Sequence, residues 1–234
     1  MTLAIIPARG GSKRIINKNI VDFLGRPIIY YVLDTLKKCE FIREIHVSTD
    51  SNEVKATVED YGLPIQFNRP PELGSDETPI LRVVQWVHNQ YVDKGFDFDN
   101  ILLIMPCSPL LTEEDLRKAC AAFVDREYDL PLLSIVACST PLERAFFKEE
   151  DHSLRGITPL NLSRRTQDLA RYYFDAGNFC FFSKEQLVSI GDESFTKFWG
   201  YEIPSSRAID IDDPNDLELA KVLYLGNKEY KKLL

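Results

Sequence analysis

The chain predicts an α/β fold in which a mostly parallel sheet is covered by helices on both faces. Two observations carry this. Short, nearly continuous apolar runs of strand length recur through the first 140 residues, and longer segments with helical periodicity alternate with them. Strands that are apolar on both sides belong between layers of helices, not on a half-solvated sheet.

The strand runs are Leu3–Pro7, Glu44–Ser48, Asn100–Met105 and Leu132–Cys138, with Pro64–Phe67 a weaker one. Helical periodicity covers Pro27–Lys38, Ser51–Tyr61, Thr78–Asp93 and Thr112–Glu127. Pro27 suits a first helical position, where its missing N–H would have no partner, and Thr112 with Asp115 resembles a capping box. The stretch Thr140–Tyr172 breaks the alternation. It is polar, carries Arg144, Arg155, Arg164, Arg165 and Arg171, and shows no core period. A lid, an oligomer arm or a solvated insertion would each look like this. Strand patterning returns at Ala176–Phe182 and Trp199–Ile203, and Asp213-Pro214 starts a last helix, Asn215–Leu225, as N-cap and first position. Ligands of parallel α/β sheets gather beyond the carboxyl ends of the strands, which directs attention to the loops after Pro7, Ser48 and Met105.

A length of 234 residues fits one domain with a small appendage, and 44% hydrophobic with 27% charged residues is globular composition. Lys and Arg total 28 against 36 Asp and Glu, a net charge of −8. That surplus argues against nucleic acid or an anionic membrane as the main partner, while leaving room for a local basic site. Five cysteines (Cys39, Cys107, Cys120, Cys138, Cys180) are odd in number, widely spaced and without a C-x-x-C pair, as expected of reduced thiols in a cytoplasmic protein. No run approaches the roughly 18–20 apolar residues of a membrane span, so the expectation is a soluble chain.

Directly after the first strand comes Ala8-Arg9-Gly10-Gly11-Ser12-Lys13-Arg14, followed by Lys18-Asn19. Two glycines let backbone approach a ligand and form an anion-binding nest, and Arg9, Lys13, Arg14 and Lys18 concentrate positive charge in an acidic chain. A basic surface turn would carry the same charges, but the position after a buried strand favours a polyphosphate. The loop is neither G-x-x-x-x-G-K-[ST] nor G-x-G-x-x-G, which disfavours a P-loop NTPase and a dinucleotide oxidoreductase. Near the other end, Asp210 and Asp212 stand two apart in an extended segment, so both carboxylates point to one side. Such a pair suits Mg²⁺, a hard cation that keeps several waters. A solvated acidic turn before a helix would look the same, and the residues alone leave the two readings even.

The motif Ile5–Arg14 with Lys18-Asn19 resembles the N-terminal signature of the acylneuraminate cytidylyltransferases. Val47-Ser48-Thr49-Asp50, Arg69-Pro70-Pro71-Glu72-Leu73, Pro106-Cys107-Ser108-Pro109-Leu110 and Ile209-Asp210-Ile211-Asp212 resemble further family motifs, in the family's order. Pro141–Ala145, Arg165–Leu169 and Asp175-Ala176-Gly177 look most like the pseudaminic acid branch. The resemblance implies a Rossmann-like nucleotidyltransferase fold, three-layer α/β/α with a small insertion arm. Residues 1–139 and 176–234 would form the catalytic domain, and 140–175 a dimerisation arm that covers a homodimer partner's site. The implied reaction transfers CMP from CTP to the anomeric hydroxyl of a nonulosonic acid and releases pyrophosphate.

By matched position, Arg9, Gly10, Gly11, Ser12, Lys13 and Lys18 would hold the triphosphate, with Arg9, Lys13 and Asp212 at the chemistry. Asn19 would touch the ribose, and Arg69 with the Ser75–Thr78 loop would read cytosine. Met105, Arg144, Arg165, Gln167, Tyr173 and Asp175 would lie near the sugar, where an arginine fork can grip a carboxylate. The resemblance moves Asp210 and Asp212 to Mg²⁺ ligands. Met105, Cys180, Glu143 and Ile16 depart from residues common in sialic-acid members, which favours a less polar 9-deoxy sugar such as pseudaminic or legionaminic acid. Neighbouring alternatives are legionaminic, N-acetylneuraminic or 3-deoxy-octulosonic acid. More distant ones are a nucleotide-sugar glycosyltransferase, disfavoured because Asp97-Phe98-Asp99 precedes its strand, and a non-catalytic nucleotide sensor. Ser108 has no G-x-S-x-G elbow, and His46, His88 and His152 are unlinked, so neither a hydrolase nor a metal-histidine site is expected.

Overall fold

The computed structural model describes residues 1–127, 129–158, 163–189 and 195–233. Its six-stranded sheet has the order β10-β6-β9-β5-β1-β4, with β1 at Thr2–Pro7, β4 at Ile42–Ser48, β5 at Asn100–Ile104, β6 at Leu132–Ala137, β9 at Tyr173–Ser183 and β10 at Trp199–Glu202. Strand β1 pairs in parallel with β4 and β5, and β10 in parallel with β6. Strand β9 runs antiparallel between β5 and β6. The sheet is therefore mostly parallel, and its single reversed strand lies inside it.

Alternation along β1 supplies both helical layers. Ala4 and Ile6 face α1 (Ile29–Leu36), α2 (Asn52–Asp60) and α4 (Glu113–Asp125), through Leu33, Val54 and Phe123 among others. Leu3 and Ile5 face α3 (Ile80–Asp93) and α5 (Lys184–Ser189), through Val84, Val87, Tyr91 and Leu187. The last helix, α6 (Pro214–Leu233), packs Leu217 and Ala220 on Ile15, Phe23 and Cys107, and so braces the loop that follows β1. The expected three-layer architecture is present.

Several boundaries differ for local reasons. Pro27 is not the first residue of a helix. It closes a tight hairpin in which β2 (Asp22–Phe23) pairs with β3 (Arg26–Pro27) around Leu24-Gly25, and α1 begins at Ile29. Pro64–Phe67 forms no strand. Its end is held instead by the Arg69 amide donating to the Thr49 carbonyl at 2.9 Å and by Phe67 stacking on His46 at 4.3 Å. Pro79 is the N-cap position of α3, which starts at Ile80 and not Thr78. The Thr112–Asp115 capping box is formed in both directions, and Arg207 grips the Asp115 carboxylate at 2.7 and 2.9 Å. Asp213 caps α6 by accepting from Asn215 and Asp216, and that helix continues past Leu225 to Leu233.

The arginine-rich stretch folds outward as a small hairpin, β7 (Phe146–Lys148) against β8 (Leu154–Gly156), flanked by single-turn helices at Leu142–Arg144 and Thr166–Asp168. It returns through β9, which begins at Tyr173, three residues before the Ala176 start that the patterning suggested.

Candidate active site

The carboxyl ends of β1, β4 and β5 open on one side of the sheet, and the antiparallel β9 brings its first half to the same side. A cleft of about 480 Å³ sits there. Its floor comes from Pro7, Met105, Pro106 and Cys107, one flank from Arg9 to Asn19, the opposite flank from Arg69 to Ile80, and the far rim from Gly177, Asp210 and Asp212. Of the three loops that the ligand rule singled out, those after Pro7 and Met105 line the cleft, while the one after Ser48 supports it from behind through Asp50.

The basic loop is shaped by its neighbours. Asp50, just past β4, accepts from the Gly10 amide at 3.0 Å, and Gly10 lies so close to the next turn that a Cβ would stand 2.9 Å from Ser51 Cβ. Only glycine fits there without movement. Asn19, 7% exposed, donates to the Arg9 carbonyl at 2.8 Å and accepts weakly from the Cys107 thiol at 3.7 Å. Burial pushes that thiol up to about 12, so it stays protonated and inert as a nucleophile. The loop is thus pinned at both ends, while Lys13 and Arg14 between them project outward.

Four cations of this loop meet two aspartates. Arg9 and Lys13 both pair with Asp76, on the opposite flank, Lys13 at 2.6 Å. Arg14 and Lys18 both pair with Asp212, at 2.9 and 3.1 Å. These contacts hold both carboxyls below the usual carboxylate range: the Lys13 hydrogen bond leads for Asp76, and the Lys18 hydrogen bond for Asp212. Asp210 moves the other way, raised first by partial burial and then by the charge of Asp212.

Opposite, Arg69 is 5% exposed. Its guanidinium donates to the Ser48 hydroxyl at 3.1 Å and the Ser48 carbonyl at 2.6 Å, and burial lowers its pKa. Ser75 and Thr78 share a hydrogen bond of 2.9 Å at the cleft edge. Strand β9 bulges between Asp175 and Phe179, with Gly177 at φ 63°, where a Cβ would stand 2.9 Å from Asp210 Cγ. Asp175 accepts from the Gly177 amide at 2.8 Å and acts electrostatically on Asp210. Bulges of this kind re-aim side chains beside active sites.

Arg9, Ser12, Lys13, Lys18, Asn19, Arg69, Ser75, Thr78, Met105, Asp210 and Asp212 therefore line one cleft, with Gly10 and Gly11 in the backbone of its basic flank. Asp175 sits just behind its rim. Arg144, Arg165, Gln167 and Tyr173 do not line it. Arg144 donates to the Arg164 carbonyl at 2.7 Å, Arg165 and Gln167 are exposed around the Thr166–Asp168 turn, and Tyr173 lies under Arg171. Cys180 is a core residue, 5% exposed, packed with Leu103 and Phe182, so its identity has no route to a bound sugar. Asp76 and Asp50 were not singled out as site residues from sequence. Asp76 lies within the Ser75–Thr78 loop that was named, but that it faces Arg9 and Lys13 is a tertiary fact that the sequence does not show.

The aspartate pair fits Mg²⁺. Asp210 makes no hydrogen bond or ion pair among the described residues, its surroundings leave room because residue 177 lacks a Cβ, and two hard carboxylate oxygens are the donor set of an ion completed by phosphate and water. His46 is buried and pushed down to about 3 by that burial, and His88 is lowered for the same reason. Both are structural.

A three-layer sheet with a basic, polyphosphate-sized cleft at its strand ends and an acidic pair on the rim defines a nucleotidyltransferase. The family model described as "Cytidylyltransferase" matches residues 3–228, and this chain belongs to that family. It is 32% identical over 228 residues to a pseudaminic acid cytidylyltransferase of Campylobacter jejuni, covering 97% of each. It is also 25% identical over 218 residues to an N-acylneuraminate cytidylyltransferase of Escherichia coli, covering 93% of this chain and 51% of that one. A solved CMP:2-keto-3-deoxy-manno-octonic acid synthetase complexed with CTP shares the fold, with TM-score 0.72 at 18% identity over 97% of this chain and 99% of that one.

Proposed function

We propose that the protein condenses CTP with pseudaminic acid to give the CMP-sugar and pyrophosphate, acting as a homodimer in the cytoplasm. The observation that carries the reaction is the single cleft in which Arg9, Lys13, Arg14 and Lys18 face Asp210 and Asp212. The sugar assignment is supported by identity along the full length to a pseudaminic acid enzyme, where the sialic-acid relative is more distant.

In this reading Arg9, Ser12, Lys13 and Lys18, with the Gly10 and Gly11 backbone, cradle the triphosphate, while Arg69, Ser75 and Thr78 read cytosine and Asn19 holds the loop beside the ribose. The anomeric oxygen attacks the α-phosphorus as the bridging oxygen to the β-phosphorus leaves, and the hydroxyl proton is released. Positioning and charge neutralisation do most of the work in such transfers. Asp210 and Asp212 would hold Mg²⁺, which when bound neutralises phosphate charge and polarises the α-phosphorus. Lys18 and Arg14, freed from Asp212, then turn to the phosphates.

Met105 in the cleft and Asp175 just behind its rim would face the sugar. Arg144, Arg165, Gln167 and Tyr173 reach a sugar by projecting from the arm of one subunit over the cleft of its partner. Supporting this, the arm leaves Phe146, Phe147, Leu154, Ile157 and Phe174 about half exposed in a single chain. Five free cysteines support a reducing compartment, and no described helix is long and apolar enough to cross a membrane.

The test is pyrophosphate release from CTP and Mg²⁺ across a panel of pseudaminic, legionaminic, N-acetylneuraminic and 3-deoxy-octulosonic acids. Pseudaminic acid should give the highest kcat/KM, and Asp212→Ala should lose turnover by at least about a hundredfold with an unchanged melting temperature. Equal silence across the panel refutes the reaction. A preference for another acid refutes only the sugar.

A further inference from the structure

The mechanism above uses every charged group in the cleft except one. Asp76 sits on the base-side flank, between Ser75 and Thr78, yet its carboxylate reaches across to both Arg9 and Lys13. Those are cations that the proposed function assigns to the triphosphate. A carboxylate bridging two of them occupies their best donors with the same kind of oxygen that a phosphate would bring.

We propose that Asp76 is an internal counter-anion of the triphosphate loop, displaced when CTP binds and restored as pyrophosphate leaves. It sets the nucleotide concentration the enzyme needs and lowers the affinity of the site for its own charged product. The inference rests on the proposed role of the loop but adds a residue and a competition that the role does not require.

Three features make the contact a competitor and not a permanent brace. Asp76, Arg9 and Lys13 side chains are 41%, 37% and 81% exposed, so the pairs are solvated and individually weak. Asp76 lies in an irregular loop whose hydroxyls are bonded to each other and not to the basic flank. The basic loop has its own anchors, Gly10 on Asp50 and Asn19 on the Arg9 carbonyl, so it does not need Asp76 to keep its shape. Compensating the cations also has a use. Four positive side chains facing one another in an empty cleft repel, and Asp76 relieves the half of that repulsion that Asp212 does not.

The competition also links the two flanks. Because Asp76 is carried between Ser75 and Thr78, exchanging its carboxylate for phosphate oxygens releases the same loop that is to close over cytosine. Phosphate and base recognition are then one event.

The experiment compares the wild-type chain with Asp76→Asn and Asp76→Glu, using CTP and inorganic pyrophosphate as calorimetric probes. Asp76→Asn should bind both about three- to tenfold more tightly, the worth of two exposed ion pairs. Pyrophosphate should inhibit it more strongly, and its affinities should fall more steeply with added NaCl, because its cations are uncompensated when the cleft is empty. Asp76→Glu, which keeps the charge, should bind like the wild type. Binding by Asp76→Asn that is no tighter than that of the wild type, or binding by Asp76→Glu as tight as that of a tightened Asp76→Asn, overturns the counter-anion while leaving the proposed function standing. Failure of the wild-type chain to bind CTP at all overturns the proposed function and the counter-anion together.

Discussion

Gly177 shows how much chemistry one missing methyl group can carry. It adopts a positive φ of 63° inside a strand, and its hydrogen points at the carboxylate of Asp210. Any side chain there strains the backbone and crowds the Asp210 carboxylate out of its present place. Gly177→Ala is expected to lower stability by about 1–2 kcal/mol. It should also lower kcat/KM about tenfold or more, with CTP affinity in the absence of Mg²⁺ little changed. Thermal melting and pyrophosphate release read the two effects separately, and unchanged turnover would show that the approach to Asp210 is immaterial. At this scale the sequence was generous with cations and carboxylates, because charge and spacing are printed in it. It was silent on orientation. Cys180, whose departure from the sialic-acid pattern was counted toward sugar preference, faces the core, since strand alternation, interrupted by the bulge, decides which way a residue points.

Among the elements, α4 has the clearest beginning and the most at stake in it. The Thr112 hydroxyl accepts from the Asp115 amide at 3.2 Å, Asp115 accepts back from the Thr112 amide at 3.0 Å, and Arg207 brings a fork from the segment before Asp210 and Asp212. Asp115 is 4% exposed. Thr112→Ala should cost about 1 kcal/mol, an ordinary cap loss. Asp115→Ala should cost more, about 3 kcal/mol, because it strands the largely buried Arg207 charge. Denaturant midpoints would measure both, and an equal loss would mean that the guanidinium finds water. Long periodic helices and buried strands were legible in the sequence, the cap included. Pro27 and Pro64–Phe67 were misread because a hairpin and an edge loop use residues that also suit a helix start and a strand, and only the tertiary neighbours choose between them.

On the scale of the whole molecule, the net charge of −8 conceals a basic basin whose four loop cations are only partly offset by two aspartates. The proposed homodimer makes a prediction of the same scale. Light scattering should give twice the 26.9 kDa chain mass, and Phe147→Asp should give a monomer that binds CTP but has lost most of its sugar-dependent turnover. A wild-type monomer with full activity would remove the arm from the partner's cleft. The fold class, the basic loop and the acidic pair were recoverable from sequence, because strand and helix periods, charge and spacing are written in it. The proposed sugar side rests on resemblance alone, because Arg144, Arg165, Gln167 and Tyr173 lie on or beside an outward hairpin and do not line the cleft of their own chain.

Strand order also governs how the protein comes off the ribosome. The β1, β4 and β5 trio can pair as soon as it is made, but the free edge of β5, lined by Ile101, Leu102, Leu103 and Ile104, has no partner until β9 arrives after the entire arm. An apolar edge left open during translation is a template for pairing with another nascent chain. The reversed central strand that carries Gly177 to the cleft is thus also the closing seam of the sheet, and slow or faulty synthesis of the arm would be felt first as aggregation, before any loss of chemistry.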